Sequence, residues 1–286
     1  ANKTEYHMVP EPGDPAVAIE AKQVCAAFRA VGAEPGDTVI FHASFKSMGH
    51  VSGGASTVFD GVLAATSPGG TVAMPSLWYS GKPEETPDRF DVKTSPTYVG
   101  ALAEALRLDP RSHRSNHWSH AVAAIGARAQ ELTARHSAGL RRPAPWSDTA
   151  FATRSPWWRF YEWNALYAFI GVTMRVCTIK HAIEGALVMR HLASIPAARR
   201  SEARATLSMD CVQRLWPYYN SEAMQDELAA AGLLHQTKLG SATLRAIRTR
   251  PLVDTTLAKL LAEPEKWLQP PFLEWIENLE RYRQAR

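Results

Sequence analysis

The chain has 286 residues, of which 45% are hydrophobic and 21% are charged, a composition typical of a globular protein with a large core. No apolar run reaches about 18 residues, so the sequence predicts no membrane span. The net charge of +4 is carried by scattered Arg and Lys residues without a basic tail, so nucleic acid is not an expected partner. Cys25, Cys177 and Cys211 are too widely spaced for a zinc motif or a disulfide framework, and no metal is expected. Because the N-terminus also lacks an apolar signal region, we expect a cytoplasmic protein.

The first two thirds of the sequence alternate between strand-like and helix-like patterns. Runs rich in β-branched and aromatic residues predict strands at 38–44, 71–75, 121–126 and 166–172. Capping, proline and glycine signals predict helices at about 14–32, 56–65, 95–108 and 127–136, and another after Thr178. Residues 78–95 have no periodicity, which predicts a loop or lid. This alternation is typical of an α/β protein.

The last third, from about residue 187, has a mostly helical pattern. Asp254 is predicted to cap a helix that runs through Leu257 and Leu261, and residues 271–279 predict an amphipathic helix. Residues 240–247 fit a short strand or one arm of a hairpin. We expect this part to pack on the sheet, so that residues 1–286 form a single domain.

His181 and Glu184 are the most informative pair of polar residues. They follow the strand predicted at 166–172 and lie three residues apart on a predicted helix, so their side chains share one face. A carboxylate beside an imidazole orients the ring and raises its basicity. The pair is therefore a candidate general base with its orienting partner, although isolated pairs of this spacing are more often solvated neighbours.

A glycine-rich segment, residues 41–56, joins the first predicted strand to the start of a helix. Gly49, Gly53 and Gly54 allow a ligand to approach the backbone, and free amides at a helix N-terminus suit a phosphate or pyrophosphate. Lys46 adds a positive charge. The spacing matches neither the dinucleotide fingerprint nor the P-loop, so an ordinary glycine turn is the alternative.

His117 and His120 immediately precede the strand predicted at 121–126. They are three residues apart, as metal ligands often are, but the sequence offers no third ligand at a suitable spacing. A position at a strand edge near a ligand is the functional interpretation, and buried structural histidines are the more common case.

Taken together, these segments resemble the antibiotic N-acetyltransferase family, typified by the aminoglycoside 3-N-acetyltransferases. The resemblance covers about residues 35–190, and it rests on an ordered set of short motifs rather than on any one of them. The matching motifs are His42-Ala-Ser-x-Lys-Ser-x-Gly49-x-Val51-x-Gly53-Gly54, Gly69-Gly-Thr-Val-x-Met74-Pro75, Phe90-Asp91, Ser95-Pro96, Arg114-Ser-x-His117, His120-x-Val-Ala-Ala-x-Gly126, Ser155-Pro156 and Thr178-x-x-His181-x-x-Glu184.

The resemblance implies an α/β fold with a central mixed sheet flanked by helices, and a mostly helical C-terminal part, about 191–286, packed on it. It implies an enzyme that transfers an acyl group, usually acetyl from acetyl-CoA, to a primary amine of an amino sugar, an antibiotic or a related metabolite. Such an enzyme acts as a monomer or homodimer, in resistance or in biosynthesis.

The resemblance also assigns roles to individual residues. His181 would be the general base in direct transfer and Glu184 its partner. The CoA contacts would be His42, Ser44, Lys46, Ser47, Val51, Gly53, Gly54 and Ser95. The residues expected around the amine acceptor are Trp78, Tyr79, Asp91, His117, His120, Arg175 and Cys177.

Three positions depart from the family pattern. Arg175 stands where an acidic residue is common, Cys177 where a polar residue is usual, and Trp118 where proline follows the histidine. Because the net charge is positive and Arg175 is close to His181 in sequence, we expect a neutral or anionic amine rather than a polycationic drug.

Three other functions stay open from the sequence. Cys177 lies one helical turn before His181, and a Cys-His pair can form an acyl-enzyme. A protein that kept the fold and CoA binding but lost turnover is a second possibility. A nucleotide-binding protein without CoA affinity is the third.

Overall fold

The computed structural model describes residues 9–207 and 215–283, so that Cys211 lies outside the described residues. The strands are β1 (Ala18–Ile19), β2 (Thr38–Ala43), β3 (His50–Val51), β4 (Thr71–Pro75), β5 (His113–Arg114), β6 (Val122–Gly126), β7 (Leu166–Ile170), β8 (His235–Leu239) and β9 (Ala242–Arg248). The helices are α1 (Ala21–Ala30), α2 (Ala55–Ala65), α3 (Ala101–Leu108), α4 (Ala129–Thr133), α5 (Pro156–Glu162), α6 (Lys180–Ala193), α7 (Arg200–Ala205), α8 (Ser221–Ala230), α9 (Thr249–Ala262), α10 (Pro264–Trp267), α11 (Pro270–Asn278) and α12 (Glu280–Arg283).

Seven strands form a mixed central sheet in the order β5-β6-β4-β2-β7-β9-β8. The three central strands β4, β2 and β7 are parallel, and the strands on either side of them pair antiparallel. β4 and β7 are buried along their whole length, which matches their continuous apolar sequences. The mixed α/β fold expected from the sequence is confirmed.

Apolar side chains cover the sheet on both faces. Tyr167 and Phe169 of β7 lie in one core cluster with residues of α6 and of the C-terminal helices. Leu166 and Ile170 of the same strand lie in a second cluster with α1, α2 and α3. This period of two places the C-terminal helices and α6 on the same face, where α6 carries the His181 and Glu184 side chains. Within the described ranges, no helix has the length and apolar content that crossing a bilayer requires.

Strands were predicted better than helix starts. The strand at 71–75 has the predicted bounds, and the segment 240–247 is indeed a hairpin arm, paired with β8. The strand predicted to end at 172 ends at Ile170, because Gly171 adopts a φ of +63° that breaks the ladder. A Cβ at Gly171 would lie 2.3 Å from the Cβ of Ser47, so the chain turns here by passing close to the 41–56 segment.

Three predicted helix caps are wrong for a common reason, which is that each side chain makes another contact. The Asp14 carboxylate accepts from the N–H of Ala16 in a turn, and α1 begins later with a capping box at Glu20. The Ser95 hydroxyl accepts from the N–H of Asp91, and α3 begins only after Gly100. Asp254 lies inside α9 and accepts a hydrogen bond from Tyr161.

The N-terminal segment 9–19 packs on the 41–56 segment. β1 pairs in parallel with β3, and the Glu11 carboxylate binds Arg245 at 2.8 Å and the N–H of Thr243 at 2.7 Å. Gly49 has a φ of +92°, and its backbone faces two carbonyl groups of the N-terminal segment. Residues 9–19 therefore cover one side of the glycine-rich segment 41–56.

Gly49→Ala is expected to lower the free energy of unfolding by about 3 kcal/mol, through a strained φ and overpacking. A Cβ there would lie 2.4 Å from the Val17 carbonyl oxygen and 2.6 Å from that of Asp14. Urea titration of Gly49→Ala against Gly32→Ala measures the steric part, because Gly32 has a φ of +95° but no atom within 4 Å of its would-be Cβ. If both variants shift the urea midpoint equally, the N-terminal segment moves away from the new Cβ without a measurable loss of stability.

Candidate active site

His181 and Glu184 form a hydrogen-bonded pair at the start of α6. After Gly171 the chain makes a short 3-10 turn, Met174–Val176, and α6 begins at Lys180. The Nδ1 atom of His181 lies 2.7 Å from Oε2 of Glu184. The Glu184 side chain is fully buried, and that of His181 is 12% exposed. The pair thus joins a buried carboxylate to an imidazole that reaches the surface of a cleft.

Trp216 completes this arrangement from a distant part of the chain. Its indole Nε1–H donates to Oε2 of Glu184 at 2.8 Å, so the same oxygen accepts from both Trp216 and His181. Because an ionised carboxylate only accepts, the His181 proton is on Nδ1 and the lone pair is on Nε2. Oε1 of Glu184 is buried without a hydrogen-bond partner in the described part of the chain. The geometry therefore suits a base that takes a proton at Nε2.

A cleft with a volume of about 260 Å³ opens in front of His181. Trp146 packs edge-on against the His181 ring, with 4.8 Å between the centroids, and Tyr218 contacts it at 6.2 Å. The residues around the cleft include several with aromatic rings and several with hydroxyl groups. They are Leu77, Tyr79, Ser80, Gly81, Tyr98, Ser119, His120, Trp146, Thr178 and His181.

His117 and His120 lie in the loop before β6 and have different surroundings. His120 lines the cleft, and its ring centroid is 6.2 Å from that of His181. His117 is buried, its Nδ1 accepts from the N–H groups of Ser119 and His120, and burial lowers its pKa to about 4. His117 therefore shapes the loop that presents His120. Among the residues that the structure describes, no group of three or more His, Cys, Asp or Glu side chains is placed to hold a metal ion.

The glycine-rich segment lies between β2 and α2. Gly53 and Gly54 have φ values of +84° and +73°, and Gly54 precedes the first turn of α2. That turn has no side-chain cap and no acidic residue, so its N–H groups are open to an anion. Lys46 is exposed on the preceding 3-10 turn, and within residues 9–207 and 215–283 no carboxylate forms an ion pair with it. The segment has the form of an anion-binding turn.

A sequence profile described as Aminoglycoside 3-N-acetyltransferase matches residues 40–261. The chain belongs to this family. The match includes the glycine-rich segment, the loop of His117 and His120, the His181–Glu184 pair and Trp216.

Curated aminoglycoside N(3)-acetyltransferases are similar to this chain over different lengths. The type III enzyme of Serratia marcescens is 29% identical over 194 residues, which span 63% of this chain and 66% of that enzyme. The type VII enzyme of Streptomyces paromomycinus is 25% identical over 80% of this chain and 87% of its own length. The type IV enzyme of a Salmonella species is 28% identical over 84% of this chain and 87% of its own length.

Solved structures of this family have the same fold. AAC-IIIb, solved as a binary complex with CoASH, is similar with a TM-score of 0.67 and 20% identity over 88% of this chain and 99% of that one. The aminoglycoside acetyltransferase AAC(3)-Xa is similar with a TM-score of 0.66 and 22% identity over 85% and 93% of the two chains.

The remaining residues predicted to contact CoA are distributed over the surface and the interior. Ser44 and Val51 lie on the same segment as Lys46, Ser44 partly exposed and Val51 largely buried. Ser47 is fully buried, and its hydroxyl donates to the Glu11 carbonyl, so it faces the N-terminal segment. Ser95 is also buried, away from a helix start. These positions disfavour direct CoA contacts by the Ser47 and Ser95 side chains.

His42 links the glycine-rich segment to the cleft. It is the penultimate residue of β2 and stacks on Tyr167 and Phe169, with its Nε2 at 2.9 Å from the Tyr167 hydroxyl oxygen. The same oxygen accepts from the N–H of Thr178, which lines the cleft. Burial lowers the pKa of His42 to about 3, so the imidazole is neutral at physiological pH. We interpret His42 as a support for the turn that leads into α6.

The predicted acceptor residues only partly converge on the cleft. Tyr79 lines it and packs on Trp118 at 4.7 Å, whereas Trp78 packs on Phe90. Asp91 caps the N–H groups of Lys93 and Thr94 in an exposed turn. These contacts order the 78–95 loop and place one of its aromatic rings beside the cleft.

Arg175 and Cys177 do not line the cleft. The Arg175 guanidinium lies 3.6 Å from the Glu222 carboxylate, so its charge is balanced. Cys177 is buried, and burial raises its pKa to about 12. A thiol with such a pKa is protonated at neutral pH and is a poor nucleophile. The geometry therefore disfavours the acyl-enzyme route.

Cys177→Ala is expected to leave kcat within about threefold of the wild type and to cost about 1 kcal/mol of stability, because a small buried group is lost. Steady-state kinetics at several concentrations of both substrates, with urea unfolding, measure the two effects. A loss of activity comparable to that of a His181 variant, together with ping-pong kinetics, would restore the covalent route.

Sequence reasoning missed several residues that shape the site. Trp146, Tyr98 and Thr178 line the cleft, and Trp216 binds Glu184. These residues come from separate segments that share no motif. For Trp146 and Trp216, the sequence alone does not distinguish a site tryptophan from a core tryptophan. Thr178 could have been found, because it immediately precedes the turn into α6.

Proposed function

We propose that this protein is an acyl-CoA-dependent N-acyltransferase that transfers acetyl from acetyl-CoA to a primary amine of an amino sugar or a related small metabolite. The observation that carries the proposal is the buried Glu184 carboxylate that holds His181 with its Nε2 free at an aromatic cleft. The family of the chain and the names of its relatives support this chemistry.

Acetyl-CoA would bind through the glycine-rich segment. The open N–H groups at the start of α2 and the exposed Lys46 suit the negative charges of the CoA phosphates. Gly53 and Gly54 let the backbone approach the cofactor closely. AAC-IIIb, which has the same fold, was solved with CoASH, and this supports CoA as the co-substrate.

His181 would act as the general base in direct transfer. An ammonium group cannot attack a thioester, so the amine first gives up one proton to water, and Nε2 of His181 then takes a second proton as the amine nitrogen bonds to the carbonyl carbon. The carbon–sulfur bond then breaks, its electron pair leaves with the CoA sulfur, and the proton passes to the thiolate or to water. The Glu184 carboxylate stabilises the imidazolium, because its Oε2 accepts the hydrogen bond from Nδ1.

The lining of the cleft suits a sugar-like acceptor. The rings of Tyr79 and Trp146 offer flat apolar faces, and the hydroxyls of Ser80, Ser119 and Thr178 offer hydrogen bonds to substrate hydroxyls. Structural relatives solved with sisomicin and with gentamicin C1A support an amino sugar. Because the net charge of the chain is +4, we expect acceptors with few additional ammonium groups to be preferred.

The test is release of free CoA thiol from acetyl-CoA with a panel of amines. The panel pairs glucosamine, which has one amine, with polyamino drugs of the kanamycin and gentamicin types. Acetylation of any member supports the proposal, and a higher kcat/KM for polyamino drugs would overturn the charge preference. Calorimetric binding of acetyl-CoA without turnover of any amine would favour a protein that binds CoA but lost catalysis. Binding of ATP but not of CoA would favour the nucleotide-binding function.

A further inference from the structure

His120 is a second imidazole at the cleft, perpendicular to the first. The two rings are inclined by 89°, with 6.2 Å between the centroids of His120 and His181. The His120 ring is packed by Trp146 at 5.0 Å and by Phe151 at 5.1 Å. Its backbone carbonyl accepts from the Trp157 indole N–H at 2.8 Å. The ring is therefore held in one orientation.

The hydrogen bonds of the loop determine which nitrogen of His120 carries the proton. Nδ1 of His117 accepts from the backbone N–H groups of Ser119 and His120, at 3.3 and 3.1 Å, so its lone pair is occupied. The Ser119 hydroxyl is 3.4 Å from that atom but only 2.8 Å from Nδ1 of His120. The hydroxyl proton is thus best donated to Nδ1 of His120, which leaves the ring proton on Nε2.

The Nε2–H group of His120 has no hydrogen-bond partner among residues 9–207 and 215–283, and it is not one of their fully enclosed unpartnered atoms. Since His120 lines the cleft, this donor is open to a ligand. Burial and the neighbouring histidines 181, 117 and 136 hold the pKa of His120 well below its ordinary value. The ring is therefore a neutral donor at physiological pH.

We propose that the Nε2–H of His120 donates a hydrogen bond to the thioester carbonyl oxygen as negative charge develops on it during acyl transfer. This inference rests on the proposed N-acyltransferase function and adds a residue to it. A neutral imidazole suits this role, because its proton is not lost to the base and its donor is fixed before the reaction. Ser119 acts as a positioning residue, because its hydroxyl fixes the tautomer.

The test compares His120→Leu with His120→Gln. Leucine fills a similar volume without a donor, and the glutamine Nε2–H₂ can replace the imidazole Nε2–H. We expect His120→Leu to lower kcat by about 10²-fold, with both KM values within threefold, and His120→Gln to recover at least tenfold. An unchanged kcat in His120→Leu would overturn the proposal. So would a loss that appears only in the KM for the amine, which would make His120 a contact of the acceptor.

A second measurement is independent of turnover. In ¹⁵N-labelled protein, imidazole spectra are expected to show His120, assigned from its absence in His120→Gln, as the neutral form protonated at Nε2. A form protonated at Nδ1 would overturn the proposal, because Nε2 would then be an acceptor. If the wild type acetylates no amine, the proposed function fails. If it does acetylate an amine but His120→Leu keeps its kcat, only the role of His120 fails.

Discussion

His181→Asn is expected to lower kcat about 10³-fold, within the range that general bases contribute. The asparagine Nδ2–H₂ takes the place of the Nδ1–H of His181 and keeps a donor for Glu184. Only the proton acceptor at Nε2 is removed. This matters because Glu184 is fully buried, and a variant without a donor would leave its charge with less compensation.

Single-turnover and steady-state kinetics measure this loss, and calorimetry with acetyl-CoA shows whether binding survives. We expect the acetyl-CoA Kd to change by less than threefold, since the glycine-rich segment is untouched. His235→Asn is the matched control, because His235 is exposed on the edge strand β8, and its kcat should stay within twofold. A kcat of His181→Asn within tenfold of the wild type would exclude His181 as the base.

The His181–Glu184 pair could be predicted because it is local. The two residues are three positions apart on α6, and this spacing places both side chains on one face of the helix. Trp216, which holds the other side of Glu184, lies 32 residues further along the chain, and no periodicity connects the two. Local patterns thus identify the hydrogen-bonded pair but not the distant residue that supports it.

The glycine-rich segment is a second case in which the sequence predicts local conformation but not contacts with distant residues. The positive φ values of Gly53 and Gly54 can be expected because both residues are glycines. The packing of residues 9–19 on this segment cannot be predicted from the sequence of the segment. The family resemblance implies a CoA contact for Ser47, yet its hydroxyl donates to the Glu11 carbonyl. Which side of a turn is covered depends on a segment about 30 residues away.

Charge near a site is equally hard to infer from the sequence. Arg175 suggests a positive cleft because it is close to His181 in the chain, but Glu222 of α8 pairs with it. The preference for acceptors of low charge therefore rests on the net charge and not on Arg175. Long-range ion pairs form between elements that only the fold brings together.

Glu184→Gln is expected to lower kcat about 10²-fold while the KM for acetyl-CoA stays within threefold. The amide oxygen can still accept from His181 Nδ1 and Trp216 Nε1, so the ring keeps its place, but the negative charge that stabilises the imidazolium is lost. Trp216→Phe makes the opposite change, because it keeps the charge and removes one N–H. It should lower kcat by less than tenfold and the free energy of unfolding by about 1 kcal/mol.

The double variant His181→Asn/Glu184→Gln separates an effect on proton transfer from an effect on protein stability. If Glu184 acts only through His181, the carboxylate has no catalytic role once Nε2 is gone, and the double variant should be no slower than His181→Asn alone. Two independent contributions would multiply to a further 10²-fold loss. Urea unfolding of all three variants supplies the control, because effects on stability follow the buried hydrogen bonds and not the proton transfer. If the loss in kcat of the double variant equals the product of the two single losses, Glu184 has a role that does not depend on His181. The pair would then not act as a single general base.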